Sequence, residues 1–155
     1  IDKAVCAYSK DHYSHWENEF SRILSPGSFG ENLTLSGMNE SMVLIGDVYR
    51  SGDVEIQVSQ PRIPCHKLNK IFRKNDMARQ INRLGFTGFY FRVLKPGIIK
   101  TGDSFTRVQH FKISFSIEES NRLLYEKNKD APRIEEVLGL DFVSTDFKKD
   151  LHNRL

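Results

Sequence analysis

The stretch from Val48 to Val58 leaves this chain little choice of fold. Val48-Tyr49-Arg50 and Val54-Glu55-Ile56-Gln57-Val58 alternate with a period of two, and Ser51-Gly52-Asp53 joins them as a turn. Side chains two apart on a strand share a face, so the segment reads as a hairpin with one side turned to a core. Similar signals flank it. Ala4, Cys6 and Tyr8 alternate with Lys3, Val5 and Ala7 as a short strand. Thr87 to Leu94 is rich in β-branched and aromatic residues, and Phe105 to Val108 is a further strand. Val43-Leu44-Ile45 meets a turn at Gly46-Asp47; Lys95-Pro96-Gly97 and Gly102-Asp103 are turns, and Ser25 to Gly30 is a loop. Helical spacing covers His12 to Leu24, about Cys65 to Phe72 and about Asp76 to Leu84, with Gly85 ending the last.

The texture changes near Ser116. Ser116-Ile117-Glu118-Glu119 is a capping box, a serine with a glutamate three residues on. Asp130-Ala131-Pro132-Arg133 places a proline in a first helical turn, and Ile134, Val137, Leu138 and Leu140 line one apolar face. A last helix starts at Ser144 or Thr145 and carries Phe147, Leu151 and Leu155 at i, i+4 and i+8. The expected architecture is mainly β within the α+β class: a β-rich module over residues 1–113 and a three-helix extension over residues 114–155.

At 155 residues, 39% hydrophobic and 28% charged, the chain suits one soluble domain with a real core. No apolar run is long enough to cross a bilayer, and no signal peptide is visible. Ile1 is not an initiator methionine, which is compatible with a start inside a longer gene product. Cys6 and Cys65 are the two cysteines and form no Cys-x-x-Cys pair, which argues against a disulfide scaffold, a cysteine-held iron–sulfur cluster or a cysteine zinc site. The simplest compartment is the reducing cytoplasm.

Charge is unevenly distributed. Residues 1–61 carry four Lys/Arg against nine Asp/Glu, residues 62–115 twelve against two, and residues 116–155 seven against nine. A basic middle between acidic ends suits an anionic ligand, either a phosphorylated cofactor or a nucleic acid; a solvated helix face is the plain alternative.

In Gln60-Pro61-Arg62-Ile63-Pro64-Cys65-His66-Lys67-Leu68, a thiol follows a stiff Pro-x-x-Pro segment and opens an expected helix. A helix N-terminus and the cations Arg62, His66 and Lys67 would favour the thiolate, the form that attacks electrophiles or binds metals. An isolated cysteine is more often a small buried hydrophobe, and that reading stands beside the reactive one. Other candidates are weaker. His12 and His15 could share a helix face as metal ligands, but no further ligands complete a site. The Pro26 to Gly30 loop lacks the Gly-Lys-Ser/Thr ending of a phosphate-binding loop. A Cys–His hydrolase would need His66, which is adjacent in sequence, or His110. Lys67, Lys70, Arg73, Lys74, Arg79 and Arg83 make basic helices, but no aromatic platform or helix-turn-helix signature accompanies them, so specific nucleic-acid binding is not expected.

Several of these pieces occur in one order: Asp2-Lys3-Ala4-Val5, His12-Tyr13-x-x-Trp16, Gly27-x-x-Gly30-Glu31-Asn32-Leu33, Ile45-Gly46-Asp47-x-Tyr49-Arg50, the proline–cysteine run, Gly88-x-Tyr90-x-Arg92-Val93-Leu94 and Gly102-Asp103. Together they resemble the MOSC domain family, and more narrowly its bacterial YiiM-like members linked to resistance against N-hydroxylated purines. The resemblance implies a twisted, barrel-like sheet holding a molybdenum cofactor (molybdopterin), with Cys65 as the metal ligand and catalytic residue. It implies, as a group, a cofactor pocket of Lys3, Arg62, Lys67 and Arg92, with Glu31, Asn32 and Tyr90 as further pocket residues; Glu31 could equally bind loop amides. The implied reaction is reduction of N-hydroxylated small molecules to amines, with electrons from a separate reductase. A non-catalytic cofactor carrier is the alternative and would need the same pocket. A homodimer is compatible with the sequence, and no membrane partner is implied.

Overall fold

The computed structural model describes residues 1–155. Six strands, β1 (Val5–Ser9), β2 (Leu33–Leu35), β3 (Val48–Ser51), β4 (Val54–Pro61), β5 (Phe89–Lys95) and β6 (Thr106–Gln109), form one curled sheet in the order β2-β1-β5-β4-β3-β6. Only the β1–β2 pair is parallel. The expected hairpin is present as β3 and β4, with Tyr49 opposite Ile56 and Arg50 opposite Glu55.

Strand alternation divides the sheet into two faces. Ala7, Tyr49, Ile56, Val58, Phe89 and Phe91 are buried in a hydrophobic cluster of 19 residues. The same cluster holds Phe115 and Ile117, Leu123 and Leu124 of α4 (Ile117–Tyr125), Ile134 and Val137 of α5 (Ala131–Leu138), and Phe147 and Leu151 of α6 (Thr145–His152). The sheet and the three C-terminal helices therefore share one core, and each large apolar side chain buried there contributes about 1.5–3 kcal/mol. Helix starts follow the capping signals: Ser116 Oγ accepts from Glu119 N at 3.0 Å, Asp130 Oδ1 from Arg133 N at 3.2 Å and Ser144 Oγ from Phe147 N at 3.1 Å. Helix α6 ends at His152, one turn before the expected apolar stripe does, and this leaves Leu155 exposed.

A second cluster of nine buried residues packs Tyr8 of β1 against α1 (Tyr13–Phe20), α2 (Lys67–Phe72) and α3 (Met77–Leu84). It is largely aromatic. Trp16 is fully buried and its Nε1 donates to Tyr8 Oη at 2.8 Å, while Tyr8 stacks on Phe29. Helix α2 begins at Lys67 rather than near Cys65. The carbonyl of Cys65 instead accepts from Leu68 N at 3.1 Å, a three-residue turn that brings the chain out of the proline segment before the helix closes.

Gly88 lets β1 and β5 meet. Its φ is +75°, and a Cβ there would lie 2.4 Å from the carbonyl oxygen of Ala7. No helix is long and apolar enough to cross a membrane.

Candidate cofactor-binding site

The site begins with two register positions. Cys6 stands opposite Tyr90 in the β1–β5 pair, and Gln57 stands opposite Arg92 in the β4–β5 pair. Their neighbours Ala7, Phe91, Ile56 and Val58 turn into the large core, so these four turn to the other face. Between them the β4–β5 register shifts from Val58 to Gln60, and Ser59 Oγ donates to Tyr90 O at 3.0 Å.

Tyr90 is half-buried. Burial pushes its phenol above its ordinary value; the Cys6 and Cys65 thiols act in the same direction, and Arg62 and Lys3 oppose it. Cys6 faces Tyr90 in the register, and Lys3, Arg62 and Cys65 lie near enough for their charges to act on the same phenol. Arg62 is buried; its Nη2 donates to Phe29 O at 2.7 Å and its backbone N to Gly88 O at 3.0 Å. Burial also raises the Cys6 thiol, and the adjacent Arg62 guanidinium opposes that rise.

Cys65 differs from Cys6 in being exposed. It follows Pro64 on the rigid segment that leaves β4, so its thiol is open to a ligand rather than packed away. Lys67, in the first turn of α2, is exposed and makes no ion pair. Lys3 Nζ donates to Asp146 Oδ2 of α6 at 2.8 Å, and that carboxylate raises the Lys3 ammonium. Arg92 Nε lies 2.9 Å from Asp2 Oδ1, but its N–H is not aimed at the carboxylate and is buried without an acceptor. Arg92 Nη1 donates to Gln57 Oε1 at 3.4 Å, and Gln57 Nε2 in turn to Gly46 O at 2.9 Å.

Glu31 and Asn32 stand behind this group. The Glu31 carboxylate is buried and accepts from Gly27 N at 3.0 Å, Phe29 N at 2.9 Å, Thr34 Oγ1 at 2.9 Å and Tyr13 Oη. It therefore takes up the loop amides that a phosphate cradle would need free. Burial and this carboxylate push Tyr13 up to about 12. Asn32 Oδ1 accepts from Cys6 N, and Asn32 N donates to Cys6 O, both at 2.8 Å, so Asn32 clamps the backbone that carries Cys6.

The histidines go elsewhere. His12 is buried against Glu40 at 2.5 Å, His15 is paired with Glu19 at 3.8 Å, and His110 Nδ1 meets buried Asp47 at 2.9 Å. No three His, Cys, Asp or Glu residues cluster as a metal site. A cavity of about 570 Å³ between the β2 edge and residues 99–105 includes Glu31 and Asn32 in its lining but no cysteine. The chemistry gathers around Cys65 and Tyr90, so thiol and charge mark the site better than volume does. The sequence by itself gives no site role to Cys6, Asp2, Gln57 or Asp146. The strand pairings could have signalled Cys6 and Gln57; nothing local signals Asp146, which meets Lys3 across 143 residues of chain.

Residues 1–106 match the MOSC domain. The chain belongs to the MOSC domain family. It is similar to YflK of Bacillus subtilis (strain 168), an uncharacterized protein, at 44% identity over 89% of this chain and 62% of YflK. The crystal structure of YiiM from Geobacillus stearothermophilus superposes with a TM-score of 0.95 at 36% identity, covering 99% of this chain and 79% of that one. A protein of Gibberella moniliformis (strain M3125 / FGSC 7600) described as a reductase is 35% identical over 82% of this chain, which spans only 23% of its length. This is therefore a YiiM-like MOSC chain, and it spans less than two thirds of both curated relatives.

MOSC domains are associated with molybdenum cofactor binding in general. The residues of this MOSC chain fit such a group on their own chemistry. An exposed thiol is a soft donor suited to that metal; Arg62 and Lys3 bring positive charge near Tyr90, and Lys67 follows Cys65 by two residues.

Proposed function

We propose that this MOSC chain binds a molybdenum cofactor through Cys65 and reduces N-hydroxylated compounds, N-hydroxylated purines among them, to amines. The single observation that carries the reading is an exposed cysteine thiol beside a cluster of arginine, lysine and tyrosine side chains on a YiiM-like fold. Arg62, Arg92, Lys3 and Lys67 would hold the anionic cofactor by charge-assisted hydrogen bonds. The cofactor, when bound, supplies the two-electron redox chemistry. In the net reaction the N–O bond breaks; two electrons and two protons enter, and the products are an amine and water. Tyr90 keeps its Oη proton at neutral pH as tyrosines ordinarily do, and burial moves its titration further up, so it remains a donor. In this reading the electrons come from a separate reductase. Resemblance to a fungal protein described as a reductase supports a redox role.

The test is turnover of 6-hydroxylaminopurine by molybdenum-loaded protein with reduced methyl viologen. Formation of adenine, lost in Cys65→Ser, is the expected result. Metal-loaded protein that consumes no reductant would overturn the catalytic reading in favour of a cofactor carrier. Retention of molybdenum unchanged in Cys65→Ser would overturn the assignment of the ligand.

A further inference from the structure

We propose that Asp146 is the resident counter-ion of Lys3 and is exchanged for the anionic group of an incoming ligand, so that helix α6 sets how tightly the site holds anions. The inference rests on the cofactor-binding reading above and adds a residue to it.

Each cation of the site has a different standing. Arg62 donates from Nη2 to a backbone carbonyl, Arg92 lies beside Asp2, and Lys67 makes no ion pair. Lys3 is engaged by a carboxylate from the far end of the chain, at 2.8 Å. The two side chains are 46% and 56% exposed, so water reaches the pair and separating it costs little.

The contact is nonetheless a built feature, because α6 is pinned where it stands. Ser144, at its N-cap, is buried and donates Oγ to Gln60 Oε1 at 2.7 Å, two residues before Arg62. Phe147 and Leu151 anchor the helix in the core. The Asp146 backbone is thereby held in front of Lys3, and only its side chain needs to rotate. The charged and titratable groups facing Lys3 are Asp146, Tyr90 and Asp150, the last one turn further along the same helix. Lys149 lies near Asp146 as well. An anion arriving at Lys3 must displace Asp146, and removing that carboxylate should favour the anion.

The experiment compares wild type, Asp146→Asn, Lys3→Met, the double variant and Cys65→Ser. One readout is molybdenum retained per chain after prolonged dialysis of cofactor-loaded protein; the other is binding of inorganic pyrophosphate to the apoprotein at low ionic strength. Asp146→Asn should strengthen both by about two- to five-fold, the range of an exposed ion pair. Lys3→Met should weaken both, and Asp146→Asn should have no effect in the Lys3→Met background. Asp146→Ser, also compatible with a first helical turn, should behave like Asp146→Asn, and equal melting temperatures would exclude misfolding. If Asp146→Asn matches wild type while Lys3→Met weakens retention, the exchange is overturned. A gain that persists without Lys3 overturns it too, as a mere change of net charge. If Lys3→Met has no effect while Cys65→Ser loses molybdenum, the inference fails and the cofactor reading stands. If Cys65→Ser also keeps its molybdenum, both fail.

Discussion

Cys6 and Tyr90 face each other directly across the antiparallel β1–β5 pair, and Cys65 lies close enough to press on the same phenol. The two thiols of the chain thus belong to one neighbourhood with opposite exposures.

That contrast predicts their reactivity. Cys65 is exposed and Cys6 is 7% exposed with its thiolate disfavoured by burial. A disulfide-exchange reagent should titrate one thiol in the native protein and the second only in denaturant. Cys65→Ser should leave unfolding free energy within about 0.5 kcal/mol of wild type and lose molybdenum. Cys6→Ser, which buries a hydroxyl in place of a thiol, should cost about 1–2 kcal/mol and keep the metal. Equal reaction of both thiols in the folded state would contradict the arrangement.

Gly88→Ala should be among the most damaging single substitutions in the sheet. It combines a positive φ with a Cβ 2.4 Å from a backbone oxygen, so β1 must move away from β5 and separate Cys6 from Tyr90. A loss of more than about 2 kcal/mol is expected in urea unfolding. Gly52→Ala, where φ is also positive at +55° but nothing lies within 4 Å, should cost less, about 1–2 kcal/mol.

Glu31→Gln tests the support behind the site. The carboxylate accepts four hydrogen bonds, and an amide would set its NH₂ against some of those donors. The expected cost is about 2–4 kcal/mol, with faster proteolysis between Ser25 and Gly30. A variant as stable and as protease-resistant as wild type would show that the loop is held by other means.

Alkaline titration follows from the tyrosines. All five, Tyr8, Tyr13, Tyr49, Tyr90 and Tyr125, are raised above the ordinary tyrosine value by burial first of all. For an acid whose folded value is raised, the folded state holds more protons than the unfolded state once pH exceeds about 10, so stability falls as pH rises through that value. Absorbance at the phenolate band should stay low at pH 10 in the folded protein and rise on unfolding. A full phenolate signal from folded protein at that pH would contradict the burial.

Much of the molecule was legible beforehand because its signals are local. The alternation around Ser51-Gly52-Asp53, the capping serines at Ser116 and Ser144 and the C-cap Gly85 each act within a few residues, and each is where the spacing put it. Helix α2 starts two residues after the position its spacing indicates, since a three-residue turn at Cys65 and a helical turn look alike in sequence. The place of Cys6 on a strand is legible from alternation, while the strand partner that puts it beside Tyr90 is not.

What sequence alone determined is the list of parts: a sheet-forming first half, three capped helices after it, one cysteine on a proline-stiffened segment and a basic middle. Period-two and helical patterns, turn residues and caps are written in neighbouring positions, so they need no knowledge of the rest of the chain. The tertiary structure decided which parts meet. The β4–β5 register, the shared core of sheet and helices, and the pairing of Lys3 with Asp146 all join residues distant in sequence. Such contacts arise only when buried apolar faces fix the sheet and helices against each other, and it is this packing that places a carboxylate of the last helix against a lysine near the first strand.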